Sequence, residues 1–357
     1  MDEHLKDVQI SRGARFTHYA GHEIAADFGD VPGEYRAIRE SAGILDLSWH
    51  SVIRFTGSER ASFLHGMTTN HVNDLAPLHA QHNTVCNVTG HLEGVVRLVN
   101  SGDALWADMH PACLDGLVKI LDKHLIMEDV QIAVLDAEWG VVSVQGPKSA
   151  ELLAMMGFPT PDAGVAAAHS YKGFDLLVVG ESQTGERGAD VIVPREALPS
   201  LWESLAGPAV DLGGSPVGLS VLQQTRVEAG IPWWSDDLND TILMLEAGLP
   251  DAIHFSKGCY LGQETLSRVH FRGHTNRQLI GIKLAGDMLP AGGTRLIKGD
   301  KPAGWTTTAV RSPRMGQPIA LGFVRSEYLA AGTVLRTETG QEATVCDLPF
   351  EPGEGSS

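Results

Sequence analysis

Cysteine is scarce in this chain, and no two cysteines stand close together. The 357 residues hold four thiols without a C-x-x-C pair: Cys86, Cys113, Cys259 and Cys346. A disulfide framework needs regularly spaced cysteines, so none is expected. The 15 histidines show no H-E-x-x-H spacing, so a zinc site built by this chain alone is not expected either. Scattered thiols are typical of a reducing compartment, which predicts a cytoplasmic protein.

Basic residues are in deficit as well. The chain has 27 Lys and Arg against 44 Asp and Glu, a formal net charge of −17. Nucleic acids and anionic membranes bind basic surfaces, so neither is an expected partner. No apolar run approaches the length of a membrane span, and no basic-then-apolar leader opens the sequence, so no membrane helix or secretory signal is expected. Nucleotide-binding glycine loops are missing too.

A strand–glycine–helix unit occurs twice. The first runs from strand 51–55 to Gly57, with Ser58 as the predicted N-cap of a helix. The second runs from strand 141–144 to Gly146, and a helix opens after it at Pro147. The pattern indicates a weak internal duplication, although two such units also arise by chance.

Strand and helix patterns alternate through the first three quarters of the chain. Helices are predicted at 33–41, 110–124, 194–205 and 217–230, and further strands at 95–99, 104–108, 130–135 and 176–179. Short connections between them favour α/β or α+β packing. Cys113 shares an apolar helix face with Leu117 and Leu121, so it is predicted to be a core residue.

The pattern of apolar and turn residues changes near residue 275. Short apolar runs alternate with Gly, Pro and Asp turns, which predicts a small antiparallel β-barrel or sandwich. With 357 residues, two or three domains are expected. We predict an α+β region of two interleaved subdomains over 1–274, a C-terminal β-barrel over 275–350 and a disordered tail over 351–357.

The stretch Lys257–Glu264, K-G-C-Y-L-G-Q-E, sets a lone cysteine between two glycines. Gly258 and Gly262 allow a tight backbone path, so Cys259 need not be buried. An accessible thiol near a cation such as Lys257 ionises readily, and the thiolate attacks electrophiles or binds metal. A plain loop cysteine beside a solvated lysine explains the same residues equally well.

The motif K-G-C-Y-x-G-Q-E resembles the signature of the YgfZ-type folate-binding proteins, relatives of the glycine cleavage T-protein (aminomethyltransferase). Other segments resemble the T-protein in the same order along most of the chain. They are 18–23, 34–39, 43–48, 63–75, Gln183–Asp190 (Q-T-G-E-R-G-A-D) and Arg226–Pro232 (R-V-E-A-G-I-P). The resemblance implies a T-protein-like multidomain α+β fold that binds tetrahydrofolate or a derivative.

The resemblance also implies site residues. Asp190 matches the family glutamate that holds the pterin, and a carboxylate accepts both N–H groups of an amino-pyrimidine edge. Aspartate is one methylene shorter, so the reach differs. Arg226 would meet a folate carboxylate or pin a loop, Glu228 would satisfy backbone donors near Gly230, and Lys257 joins them as a folate-binding candidate.

Two further features have alternative explanations. Trp233 and Trp234 form either one wall of a flat-ring pocket or ordinary core packing. The locally basic stretch 267–277 either meets a polyanionic folate tail or is a solvated hinge between domains.

One departure from the T-protein pattern shapes the functional prediction. Gly94 and Val95 stand where T-proteins carry acids, and on a regular strand Glu93 points to the opposite face from Gly94. We therefore predict a folate-binding factor in iron–sulfur cluster assembly or repair, without aminomethyltransferase activity. Cys259 would be the redox thiol or the ligand of a transient iron–sulfur cluster, and iron–sulfur carriers or client proteins would be partners. One alternative is a tetrahydrofolate-dependent methyl or one-carbon transferase of the aminomethyltransferase or demethylase type, and another is a non-catalytic structural relative whose pocket no longer binds folate.

Overall fold

The computed structural model describes residues 3–352. Of the predicted tail 351–357, only Glu351 and Pro352 lie within the described residues. The helices are α1 (Glu3–Ser11), α2 (Val31–Glu40), α3 (Arg60–Met67), α4 (Leu114–His124), α5 (Ser149–Met155), α6 (Leu198–Asp211), α7 (Leu219–Glu228) and α8 (Gln263–Arg272). Short 3₁₀ turns occur at Pro111–Cys113, Arg195–Ala197, Met244–Glu246, Pro250–Ala252 and Ser326–Tyr328.

Strands make up much of the rest. The strands before residue 218 are β1 (Arg15–Tyr19), β2 (His22–Asp27), β3 (Gly43–Asp46), β4 (Ser51–Thr56), β5 (His79–Cys86), β6 (Leu92–Asn100), β7 (Leu105–Met109), β8 (Gln131–Val134), β9 (Trp139–Gln145), β10 (Ala166–Tyr171), β11 (Phe174–Gly180), β12 (Gly188–Pro194) and β13 (Ser215–Val217). The later strands are β14 (Arg277–Leu284), β15 (Arg295–Lys298), β16 (Lys301–Ser312), β17 (Gln317–Arg325), β18 (Val334–Thr337) and β19 (Glu342–Cys346).

Two sheets and a hairpin form the region before α8. One sheet has the order β10-β11-β12-β9-β3-β13, and the other has the order β5-β6-β7-β4-β8. The whole second sheet is inserted in the chain between β3 and β9 of the first. Strand pairing is antiparallel in both sheets except where β13 joins β3 in parallel. A shared apolar core, which includes Leu45, Trp49 and Val179, joins the two sheets.

The last six strands close into a barrel of order β14-β17-β16-β15-β18-β19. Its neighbouring strands pair antiparallel, and its interior is filled by apolar side chains such as Ile282, Val324 and Val345. The prediction of an α+β fold with a C-terminal antiparallel β-barrel is therefore confirmed, and the open choice between barrel and sandwich is settled in favour of the barrel.

The two predicted strand–glycine–helix units are both present. Gly57 and Gly146 have φ of +99° and +119°, and a Cβ there would meet the backbone oxygens of Asp129 and Ser41 at 2.1 and 2.5 Å. Glycine is therefore required at both turns. The N-cap prediction for Ser58 is wrong, because α3 begins only at Arg60.

Ser58 has a different partner. Its backbone N–H and its hydroxyl both donate to the Asp129 carboxylate at 2.8 Å, so it ties the turn to the segment before β8. Cys113 is 1% exposed and packs with Leu117 and Leu121 under the second sheet, which confirms it as a core residue. Within residues 3–352, each helix is too short or too polar to cross a membrane.

Candidate functional site

A cavity of about 310 Å³ opens between the second sheet, the segment after β11 and the segments that follow α7. Its wall combines aromatic, apolar and charged side chains. The lining residues used below are His50, His82, Val95, Arg97, Asp108, His110, Glu181, Gln183, Trp233 and Trp234. An apolar pocket with a few convergent polar groups is the usual form of a small-molecule site.

Strand alternation places Arg97 in this cavity. On β6, Val96 and Leu98 pack into the core under α4, so Val95 and Arg97 face the opposite side and line the cavity. The Arg97 side chain is 3% exposed. A buried guanidinium needs carboxylate partners, and Arg97 has three of them.

The carboxylates around Arg97 come from different elements. Asp108 on β7 accepts from Nε at 2.8 Å and from Nη2 at 3.0 Å, a bidentate pair. Asp190 on β12 accepts from Nη1 at 2.7 Å, and Glu181 lies 3.4 Å from the same nitrogen. The Arg97 guanidinium therefore binds carboxylates from both sheets at the cavity.

The cluster holds more negative than positive charge. Burial raises the pKa of Asp108, but Arg97 and His50 outweigh it and bring that pKa to about 2. Burial also raises the pKa of Asp190, and there the raising effect prevails despite Arg97, because Glu181 and Asp108 lie nearby. Asp108 is accordingly held as the anion, while Asp190 is the member of the cluster that takes up a proton most readily.

Aromatic rings form the opposite wall. Trp233 lies edge-on to Trp49, with centroids 5.6 Å apart, and Tyr19 and His110 pack beside them. Trp233 is 8% exposed and belongs to the core between the sheets, yet it also lines the cavity. Core packing is therefore confirmed for Trp233, and its role as the wall of a flat-ring pocket stays a prediction.

His110 is held neutral in this wall. Its Nδ1 accepts from the Ala112 backbone N–H at 3.2 Å, and its Nε2 lies 3.1 Å from the Tyr19 hydroxyl. Burial and the nearby His50 and Arg226 lower the pKa of His110 to about 3. If Nδ1 were protonated, its N–H would point at the Ala112 N–H, and neither donor would have an acceptor there.

Asp190 lies behind the cavity and does not form part of its lining. Its side chain is fully buried, and one carboxylate oxygen accepts from both Arg97 and Gln183, the latter at 2.8 Å. The other oxygen is buried and has no hydrogen-bond partner among the described residues. A direct contact with a pterin remains a prediction, and Asp190 reaches the cavity through Arg97 and Gln183.

Arg226 supports the tryptophan wall. It is fully buried, donates to Asp237 at 2.7 Å and to the Ile231 carbonyl at 3.0 Å, and stacks 4.5 Å above the Trp233 ring. Of the two roles considered for it, pinning a loop is the one that these contacts describe.

Glu228 accepts from side chains rather than from backbone donors near Gly230. Its partners are the Tyr35 hydroxyl at 2.7 Å, Arg39 and the Ser312 hydroxyl. The expectation of backbone partners is therefore wrong, because the carboxylate is bonded by side chains from α2 and from the barrel. Glu228 ties α7 to both and lies outside the cavity lining.

Lys257 does not act as a free cation beside Cys259. Its ammonium group donates to the backbone carbonyls of His65, Thr68 and Asn70 at 2.5, 2.6 and 2.7 Å, and the residue is 5% exposed. The contacts hold the end of α3, where helix carbonyls lack partners. Burial lowers the pKa of Lys257 to about 7.

Cys259 is exposed in the loop that leads to α8 and is not among the lining residues. Gly262 in the same motif has φ of +85°, and a Cβ there would meet the Asn87 backbone oxygen at 2.6 Å, so this glycine is required. Among residues 3–352, no group of three or more His, Cys, Asp or Glu side chains is arranged to hold a metal ion.

The basic stretch 267–277 contributes nothing to the cavity lining. It covers the end of α8 and the start of β14, where Arg277 donates to Glu246 at 2.8 Å. His270 stacks on Phe255 with ring centroids 3.6 Å apart. These contacts favour the explanation as a connector between the first region and the barrel.

Strand β6 is irregular where the acidic pair of T-proteins would lie. Val85 pairs with Gly94 and Cys86 pairs with Leu92, so Glu93 is one extra residue, a β-bulge. Its carboxylate accepts from the Asn87 amide at 3.2 Å. A Cβ at Gly94 would face Leu117, and Val95 lines the cavity, so the cavity wall is apolar at this point.

Arg97, Asp108 and Glu181 are absent from the set of residues that sequence reasoning selected. A signal existed for two of them. Arg97 interrupts the apolar run V-V-R-L-V, and Asp108 stands in L-W-A-D-M, and a charge inside an apolar strand needs a buried partner. The sequence around Glu181 gives no such signal, because Glu181 lies near Arg97 only once the two sheets have packed together.

The fold and the cavity define a two-part protein in which interleaved sheets carry the site and a barrel closes the chain. Residues 5–257 match the GCVT N-terminal domain, and residues 277–351 match the glycine cleavage T-protein C-terminal barrel domain. The chain belongs to the glycine cleavage T-protein family.

The relatives extend over nearly the whole chain. An aminomethyltransferase of Rubrobacter xylanophilus is 28% identical over 97% of this chain and 93% of its own length. One from Mycobacterium avium is 26% identical over 98% and 95%. The crystal structure of the glycine cleavage system aminomethyltransferase T from Bartonella henselae has a TM-score of 0.89 at 21% identity, covering 98% of this chain and 97% of that one, so it shares the fold.

These relatives correct the functional prediction. The prediction of an iron–sulfur assembly factor without aminomethyltransferase activity is wrong, because the full-length relatives are aminomethyltransferases and none of these comparisons indicates iron–sulfur work. The error came from treating Gly94 and Val95 as decisive. The aminomethyltransferase family uses tetrahydrofolate, which agrees with the predicted cofactor, whereas the predicted iron–sulfur cluster has no support.

Proposed function

We propose that this chain is a tetrahydrofolate-dependent one-carbon transferase of the aminomethyltransferase type, and that the cavity between Arg97 and Trp233 binds the folate. The observation that carries the proposal is the meeting of an aromatic wall with a buried carboxylate cluster in one cavity. Flat heterocycles stack on aromatic rings, and pterin N–H groups need carboxylate acceptors. The full-length relatives support the same reaction class.

The residues present fit such a ligand. The cavity of about 310 Å³ is within the range of small-ligand sites, at its lower end, so it suits the ring of the folate better than the whole molecule. A glutamate tail would extend into solvent. Glu181 lines the cavity and supplies a carboxylate acceptor for the N–H groups of such a ring.

Bound tetrahydrofolate would supply the ring nitrogens to which a one-carbon unit becomes attached. The residues of this chain orient it and exclude water. We assign positioning roles to Asp190 behind Arg97, to Arg226 behind Trp233, and to Glu228 at the junction of α7 with α2 and the barrel. Lys257 holds the end of α3.

A methyl donor is the second candidate for the one-carbon source. Val95 lines the cavity where T-proteins of this family carry an acidic residue, and transfer from an aminomethyl carrier uses a proton-transfer group there. The cavity has such groups elsewhere, in the pairs His82–Glu181 and His50–Asp108, at 3.2 and 3.4 Å. Aminomethyl transfer therefore stays the first candidate.

Two finer assignments belong to the same proposal. The motif Lys257–Glu264 supports membership of the YgfZ-type branch within the family. The four cysteines are all free thiols, which supports a reducing, cytoplasmic setting.

The proposal is tested with the purified chain under anaerobic, reducing conditions. Tetrahydrofolate binding is measured by calorimetry, and one-carbon products on folate are measured by mass spectrometry with a lipoylated aminomethyl carrier or with methylated amines as donors. We expect Trp234→Ala to weaken tetrahydrofolate binding about fivefold, because one contact between aromatic rings is worth about 1 kcal/mol. Trp305→Ala, on the barrel and outside the cavity, is the matched control.

The donor that yields product decides between the two candidates. A chain that binds no tetrahydrofolate and forms no product with either donor would disprove the proposed function.

A further inference from the structure

The three carboxylates around Arg97 differ in their access to the cavity. The side chain of Glu181 is 16% exposed, whereas those of Asp108 and Asp190 are 4% and 0% exposed. A ligand in the cavity therefore meets Glu181 before it meets the other two. Glu181 precedes the segment that resembles the T-protein, so the resemblance assigns it no role.

The carboxylates of Asp108 and Asp190 are already hydrogen-bonded to Arg97. Both oxygens of Asp108 are engaged by its guanidinium in a bidentate pair, and His50 lies 3.4 Å away. Asp190 places one oxygen against Arg97 and Gln183, and its other oxygen is sealed from solvent. A ligand that bonded either aspartate would have to displace protein contacts.

Glu181 keeps acceptor capacity. Its contacts are longer than those of the aspartates: His82 Nε2 lies 3.2 Å from both carboxylate oxygens, and Arg97 Nη1 lies 3.4 Å from one of them. The His82 side chain is 47% exposed, so a ligand can replace it at the carboxylate without breaking a buried contact. A carboxylate offers about four lone-pair positions, so Glu181 can then accept from a pair of ligand donors while Arg97 stays in place.

The backbone around Glu181 is fixed as well. The Glu181 N–H donates to the Gly188 carbonyl at 3.1 Å, and its carbonyl accepts from the Gln145 amide at 3.0 Å. The next turn is held by the Gln183 N–H, which donates to Gln145 at 2.9 Å. The carboxylate is thus presented from a rigid segment, which is what directional recognition requires.

We infer that Glu181, rather than Asp190, is the carboxylate that accepts the two adjacent N–H groups of the pterin amino-pyrimidine edge. Arg97 is its positioning residue, His82 is the exposed contact that the pterin edge replaces, and Asp190 pairs with Arg97 on the side away from the cavity. The inference rests on the proposed function, since it names the specificity-determining residue of the same folate site.

A binding cycle tests this assignment. Wild type, Glu181→Gln and Asp190→Asn are each titrated by calorimetry with tetrahydrofolate and with its 2-desamino-2-methyl analogue, which lacks one of the two N–H donors. In wild type we expect the analogue to bind at least tenfold more weakly, because a hydrogen bond to a charged group is lost. In Glu181→Gln we expect tetrahydrofolate and the analogue to bind equally, while Asp190→Asn still discriminates.

The outcomes are distinct. Discrimination that survives in Glu181→Gln and disappears in Asp190→Asn would overturn the assignment. So would a wild type that binds both ligands with equal affinity, although the proposed function would then stand. A wild type that binds neither ligand would overturn the proposed function and this assignment together. Should Glu181→Gln fail to fold, Glu181→Asp in the same cycle must lose discrimination, because its carboxylate is one methylene too far back.

Discussion

Arg97 and Lys257 are both almost completely buried cations, and they are partnered in opposite ways. Arg97 is surrounded by carboxylates from β7, β12 and the segment after β11, whereas Lys257 is surrounded by three backbone carbonyls near the end of α3. The first arrangement joins two sheets around a cavity. The second fastens a loop to a helix end and builds no cavity.

The difference shows why a motif is not the same as a site. The motif around Lys257 is the most recognisable stretch of the sequence, yet its lysine is used up in backbone contacts. Arg97 belongs to no motif, yet it organises the charges that a ligand would meet. Three predictions test this contrast.

The largest effect is expected from Arg97→Met. The substitution leaves Asp108 and Asp190 buried without their cation, and breaking a buried charge cluster on one side costs about 3–5 kcal/mol. Urea unfolding at neutral pH gives the free energy directly. Arg54→Met, on exposed β4 surface, is the control and should change stability by less than about 0.5 kcal/mol. A loss below about 1 kcal/mol for Arg97→Met would show that the cluster does not depend on Arg97.

A smaller loss, about 3 kcal/mol, is expected from Lys257→Met. The three carbonyls lose their donors, and each unsatisfied buried acceptor costs about 1–3 kcal/mol, which is reduced where water enters. Cys259→Ser, two residues away and exposed, is the matched control and should leave both stability and folate binding unchanged. Unfolding curves for the two variants that coincide would contradict the anchoring role of Lys257.

The smallest effect concerns acid stability at the cavity wall. The folded-state pKa of His110 is about 3, below the ordinary value of about 6.5, so unfolding takes up a proton as the pH falls below 6.5. The contribution of His110 to stability is complete above pH 6.5 and shrinks by about 2 kcal/mol by pH 5. His110→Gln keeps an acceptor but cannot titrate, so its stability should fall less over this range in urea unfolding at each pH.

His65 provides the comparison on the lysine side. Burial and the charge of Lys257 lower its pKa to about 4, so it adds to acid sensitivity with the same sign. His65→Gln should therefore remove a separate part of the slope. A His110→Gln protein with the wild-type pH slope would show that His110 is not held neutral in the fold.

Much of the fold was predictable, because the spacing of apolar residues in an element and the residue types in a turn both depend on neighbouring positions in the sequence. The strands that precede Gly57 and Gly146, the apolar helix face at Cys113 and the short strands after residue 275 all follow from neighbouring residues. Capping was less predictable. Ser58 has the right side chain for an N-cap, but Asp129, distant in sequence, takes its donors.

The site was less predictable for the same reason. Asp190 and Glu228 were identified by resemblance, yet their partners Arg97 and Tyr35 come from residues far away in the chain, so their burial could not be seen in the sequence. Glu181 joins the cavity only because two separate sheets meet there. The mistaken functional prediction relied on Gly94 and Val95 alone, whereas the titratable side chains that line the cavity, such as His82 and Glu181, come from other parts of the chain.

The bulge at Glu93 has a consequence for comparing members of this family. An alignment assigns each residue to a column and treats a column as a place in space, but one added residue in a strand separates the two. An acid that has moved by one column is then scored as lost, even when the strand has turned to present it elsewhere. Protein engineers who graft a carboxylate into this strand should therefore choose its place by the hydrogen-bond ladder between β5 and β6 and not by the column.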